Sequence, residues 1–125
     1  MPTESQISKL LMDLTRRTIE GGIEWEMAIM PPPLRRGTSD IIDDYFETTY
    51  KNQKIAVYER KYRAYDGEHD ESYWTSDAHL AIIQDTGAVW ETTADSARIW
   101  ALLKLARDSA TDIDSVFEDL LNKDE

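Results

Sequence analysis

Three polar turn signals most constrain this chain. Lys51-Asn52-Gln53, the cluster Asp66-Gly67-Glu68-His69-Asp70-Glu71, and Asp85-Thr86-Gly87 cut residues 44–92 into four stretches rich in alternating apolar and polar residues. The stretches read as strands over about 44–50, 54–65, 72–84 and 88–92, joined as an antiparallel meander. Gly87 supplies the positive φ that the last hairpin turn needs. In the third stretch Trp74, Ala78, Leu80 and Ile82 fall on one face, and Tyr73, His79, Ala81 and Ile83 on the other. Both faces of its second half are therefore expected to be partly covered.

Helical patterns flank this run. Ile7, Leu10, Leu11, Leu14 and Thr18 recur at helical spacing over about 3–20, and Thr3 with Gln6 fits a capping box. Gly21-Gly22 provides a left-handed stop rather than a phosphate cradle, because the pair follows a helix and not a strand. Ile23, Trp25 and Met27 alternate as an edge strand or an extended crossing. Pro31-Pro32-Pro33 argues against both helix and central strand, so 31–39 is expected to be an irregular, mobile loop. Thr93 or Asp95 is placed to cap a second helix to about Ser109, with Ile99, Trp100, Leu102, Leu103 and Ala106 on its apolar side. Asp112 is placed to cap a short third helix carrying Ile113, Val116, Phe117, Leu120 and Leu121. The expectation is one α+β domain over 1–125: an N-terminal helix, a four-stranded antiparallel meander, and two C-terminal helices packed on one sheet face.

Composition narrows the chemistry. The chain has 125 residues, 25 acidic against 14 basic, a net charge of −11 and no cysteine. Disulfides, thiol nucleophiles and cysteine metal sites are excluded. The acidity disfavours nucleic acid and anionic lipid and favours a host or cognate protein with a basic surface. No apolar run is long enough for a membrane span, and the N-terminus lacks signal-peptide features, so a cytoplasmic location is expected. Four tryptophans, Trp25, Trp74, Trp90 and Trp100, strain what one small core can hide and leave homodimerisation open.

No phosphate-binding loop, dinucleotide fingerprint, nucleophile elbow or zinc-protease motif is present. No cofactor, metal or catalytic residue is assigned. His69 among the acids of 66–71 reads as a solvated turn, since the calcium-loop order is not met. The second strand alternates basic and aromatic residues, with Tyr58, Arg60 and Tyr62 on one face and His79 on the next strand. Such a face covers a sheet, or alternatively holds a nucleotide-like anion.

The carboxylates make the leading candidate surface. Asp112, Asp114, Glu118 and Asp119 crowd the last helix, and Arg35 and Arg36 stand in the proline-rich loop. Together they are expected to meet a partner protein.

The segments RRTIEGGIEWE (16–26), LAIIQDTGAVWET (80–92) and WALLKLARDSATDIDSVFEDLL (100–121) resemble a loose set of small prokaryotic and phage proteins with a helix, a meander and terminal helices. The resemblance covers most of the chain outside 31–39. It implies an accessory protein that binds and blocks a host protein, and it carries no catalytic residues.

Overall fold

The computed structural model describes residues 1–35 and 40–122, with Arg35 described by its backbone only. Helix α1 spans Glu4–Ile19, strand β1 Glu26–Met27, the helical turn α2 Pro32–Arg35, and strands β2–β5 Ile41–Tyr50, Gln53–Asp66, Glu71–Ile83 and Val89–Thr92. Helices α3 (Ser96–Thr111) and α4 (Ile113–Leu121) close the chain. The strands form one antiparallel sheet in the order β1-β2-β3-β4-β5. The α+β meander is as expected, with five strands rather than four: Glu26 and Met27 pair with Glu47 and Phe46 and add a two-residue edge.

The end of α1 follows from its glycines. Gly21, at φ 81°, donates to the Thr18 carbonyl at 3.1 Å, and Gly22 donates to the Arg17 carbonyl at 2.8 Å. These two bonds satisfy carbonyls that the helix leaves unpaired, and only glycine takes the left-handed turn at little cost. The chain then turns so that Trp25 enters the core, where its indole N–H donates to the Thr18 hydroxyl at 3.0 Å.

The main core lies between one sheet face and the helices. Ile7, Leu11 and Leu14 of α1 and Ile99, Leu102, Leu103 and Ala106 of α3 pack with Phe46, Ile55, Val57, Ala78 and Leu80. The two helices are also tied at their start: the Ser8 hydroxyl donates to the Asp95 carboxylate at 2.7 Å, and Arg98 meets the same carboxylate at 2.8 Å. Asp95 thus does not cap α3 with its side chain as expected. Its backbone is left-handed, at φ 61°, and its carboxylate is turned to Ser8 instead.

A smaller core covers the opposite face, where Leu34, Tyr45, Ala56, Tyr58 and Ala81 are buried. The prolines do not exclude helix here. The first turn of a helix has no use for its N–H groups, so Pro32 and Pro33 open α2 without losing a bond. The turn sets Leu34 onto the sheet. Residues 36–39 lie outside the described residues. With both faces covered, Ile55 to Tyr58 are buried in succession.

A bulge interrupts β2 between Asp43 and Phe46, with Asp44 left-handed at φ 52°. β3 and β4 outrun their neighbours. They pair from Lys54↔Ile83 to Asp66↔Glu71, whereas β2 reaches only Lys61 and β5 only Leu80. Residues 62–75 therefore project as a two-stranded ribbon that carries Tyr65, Tyr73 and Trp74 half exposed or more.

A further expectation fails. α3 packs on the sheet, but α4 does not: none of its nine residues is buried. The periodic apolar residues of α4 form a stripe of which no residue is buried.

Candidate functional site

The C-terminal helix meets α3 at one residue. Asp112 ends α3 and begins α4 in a left-handed conformation, φ 49°, and its side chain makes no capping bond to α4. The expected side-chain cap is absent because the left-handed backbone serves instead as the stop of α3, with the Asp112 N–H donating to the Ser109 carbonyl at 3.1 Å. α4 follows at once. Asp114 lies in its first turn, where a carboxylate is favoured by the helix dipole.

Along α4, Phe117, Leu120 and Leu121 are 56%, 65% and 80% exposed, and Ile113 and Val116 are also accessible. At about 100° per residue these five side chains occupy an arc of about 140°. Asp114 borders the arc beside Leu121, and Glu118 and Asp119 lie about 60° beyond its Leu121 and Val116 edges. Residues 113–121 include no lysine, arginine or histidine. The structure thus brings Asp112, Asp114, Glu118 and Asp119 together on one short element, around an apolar stripe whose exposure periodicity alone does not reveal.

At the root of α4 is a cleft of about 700 Å³. Ile19 and Trp25 line it from the α1 side, Leu105 and Ser109 from α3, and Ile113 and Asp114 from α4. The Ser109 hydroxyl accepts the backbone N–H of Trp25 at 3.0 Å, which fixes the 23–25 crossing against α3. Of the loop cations expected to join this surface, Arg35 closes α2 over the opposite sheet face and Arg36 lies outside the described residues. α2 and α4 are separate elements on different parts of the fold, and nothing described joins them into one surface.

The other candidate set assembles in part. Tyr58, Arg60 and His79 converge on Glu91, which the spacing of the sequence did not single out. The buried Tyr58 hydroxyl donates to Glu91 Oε2. Arg60 lies 3.6 Å from the same oxygen and 3.2 Å from Asp40. His79 stacks on Tyr58 with ring centres 5.2 Å apart, and its Nδ1 is 3.2 Å from Glu91 without hydrogen-bond alignment. The His79 ring, then the Tyr58 hydroxyl and Arg60, hold the Glu91 carboxyl down to about 2, against partial burial that raises it. Burial first, then the Glu91 contact, pushes the Tyr58 phenol well above its ordinary range. Tyr62 lies one step further along the face and donates to Asp77 at 3.0 Å, apart from the Glu91 group. The charges of this cluster answer one another, and Tyr58 acts as buried packing.

At the ribbon tip the Asp66 carboxylate accepts the Glu68 N–H at 3.0 Å and lies 2.7 Å from His69 Nδ1. Among the described residues no group of three or more histidines and carboxylates is arranged to hold a metal ion. Among the described residues no helix is long and apolar enough to cross a membrane. Comparison with family models, curated proteins and solved structures finds no match to this chain.

Proposed function

We propose that this chain is a non-enzymatic protein-binding factor: an inhibitor, immunity or anti-defence protein, or accessory regulator of the kind encoded by phages and mobile elements. It engages a host or cognate protein with a basic surface through the acidic C-terminal helix. The observation that carries this reading is that α4, with its acids and no cation in 113–121, buries none of its residues. A helix of nine residues is marginal in water by itself. Without burial of its own, its acidic face is free to meet opposite charge, which steers association and suppresses wrong partners.

The alternative is a nucleotide-like ligand on the sheet face at Tyr58, Arg60, Tyr62 and His79. It has weaker support, because Asp40 and Glu91 already answer the charge of Arg60 and a ligand would have to displace them.

The test is capture of the tagged full chain from lysate of its native cells at low and high salt, beside a variant carrying Asp114→Lys, Glu118→Lys and Asp119→Lys. Asp112 is spared because its backbone is left-handed. One stoichiometric partner, lost at high salt and lost by the variant, is the expected result. Equal capture by the variant removes the acidic helix from the reading, and no partner at either salt overturns it.

A further inference from the structure

We propose that the apolar stripe of α4 is an anchor helix for a groove on another protein, apolar along its floor and bordered by lysine or arginine on both rims. This rests on the protein-binding reading above and specifies the shape and chemistry of the partner.

Ile113, Val116, Phe117, Leu120 and Leu121 follow the i, i+3, i+4, i+7, i+8 spacing by which a helix docks its apolar face into a groove. All five are accessible, and the most distal, Leu120 and Leu121, are the most exposed. A large aromatic at the centre of the stripe, Phe117, is the residue type that anchors such contacts when desolvated. The stripe does not stop at the root of the helix. Ile113 lines the cleft shared with Ile19, which is itself 68% exposed, and with Trp25. A partner lying along α4 therefore reaches this cleft with the same apolar surface.

Charge selects among the occupants. Asp114 and Glu118 flank the stripe on its Leu121 side, and Asp119 on its Val116 side. A second copy packed stripe to stripe would set acid against acid at both margins, with no cation in 113–121 to relieve it, and like charges across an interface are costly. An anionic lipid surface is repelled in the same way, and amphipathic helices that lie on membranes carry lysine and arginine on the polar face, which α4 lacks. A groove with basic rims satisfies both margins at once.

The experiment is site-specific photo-crosslinking of the full chain in its native cells. Phe117 is replaced by p-benzoylphenylalanine in one version and Lys9, exposed on α1, in another. The Phe117 probe is also combined with Leu120→Ser and Leu121→Ser. These are surface positions, and circular dichroism and the melting temperature verify that the fold persists. The expected result is an adduct from position 117, absent from position 9, to a segment of another protein in which apolar residues alternate with lysine or arginine. The double serine variant lowers its yield tenfold or more. An adduct to a second copy of this chain, to lipid, or back to Ile19 or Trp25 within the same chain overturns the anchor helix. A partner crosslinked equally from positions 9 and 117, at a yield indifferent to the serines, also overturns it but leaves the protein-binding reading standing. Absence of any protein adduct from either position overturns both.

Discussion

The guanidinium of Arg107 lies 2.6 Å from the carboxylate of Asp44, joining α3 to the bulge in β2. Asp44 has a left-handed backbone, which non-glycine residues other than Asn and Asp seldom adopt. Two effects therefore meet at one residue, and two substitutions separate them. Asp44→Asn keeps the tolerance for left-handed backbone and loses only the ion pair. Both partners are more than a third exposed, so the cost is about 0.2–1 kcal/mol. Asp44→Val loses the pair and adds a β-branched side chain at positive φ, for about 1–3 kcal/mol more. Urea unfolding of the two variants gives the difference directly. Equal destabilisation would mean that the backbone conformation contributes nothing.

Glu91 predicts an acid-labile part of the stability. Its folded value of about 2 lies below the ordinary 4.5, so its contribution is present above pH 4.5 and is lost as pH falls towards 2. Glu91→Gln removes that contribution. The loss at neutral pH is on the order of 1 kcal/mol, after allowing for solvent screening of a carboxylate about a third exposed. Unfolding free energies measured from pH 7 to pH 2.5 are expected to show the gap between wild type and variant closing as the pH falls. A constant gap would mean that packing, not charge, sets the effect.

Leucines of the same periodic type differ by what covers them. Leu102 is completely buried between α3 and the sheet, and Leu102→Ala is expected to cost about 2–5 kcal/mol. Leu120→Ala, on the open stripe of α4, is expected to stay within about 0.5 kcal/mol in the isolated chain. Thermal unfolding of the two variants checks the pair, and a large loss at Leu120 would show that α4 is covered in solution.

The ribbon is expected to open before the sheet does. Amides of residues 62–66 and 71–75 sit in strands paired on one side only, whereas Ile55–Tyr58 are flanked by strands on both sides and buried. Native-state hydrogen exchange is expected to fall in protection along β3 from Tyr58 towards Asp66. Uniform protection along β3 would contradict this.

Much of this architecture is legible in the residues. Gly21-Gly22 encodes its helix stop through backbone freedom, and the three turns encode the meander, because both effects are local. The turn α2 is hidden because a proline run breaks a helix anywhere but in its first turn, and the sequence does not show that a first turn starts there. Asp95 escaped because its carboxylate is claimed by Ser8, far away in sequence. Glu91 joins Tyr58 and His79 only through strand register: pairing Glu91 with Ala81 puts it diagonal to His79, an inference that the Asp85-Thr86-Gly87 hairpin would have allowed. The openness of α4 was out of reach, since periodicity shows that a helix has an apolar face and not whether anything lies against it.

The junction at Asp112 bears on kinetics. One residue has two soft dihedrals, so α4 follows α3 directly and its direction is restricted, instead of trailing on a linker. A partner meeting it is spared the entropy of ordering a linker, a cost that a disordered tail bears on binding, which favours a long-lived complex over a fleeting one. Because Trp25 lines the cleft at the same joint, each arrival and departure of a partner would pass beside a natural fluorophore, and the lifetime of the complex could be followed without a label.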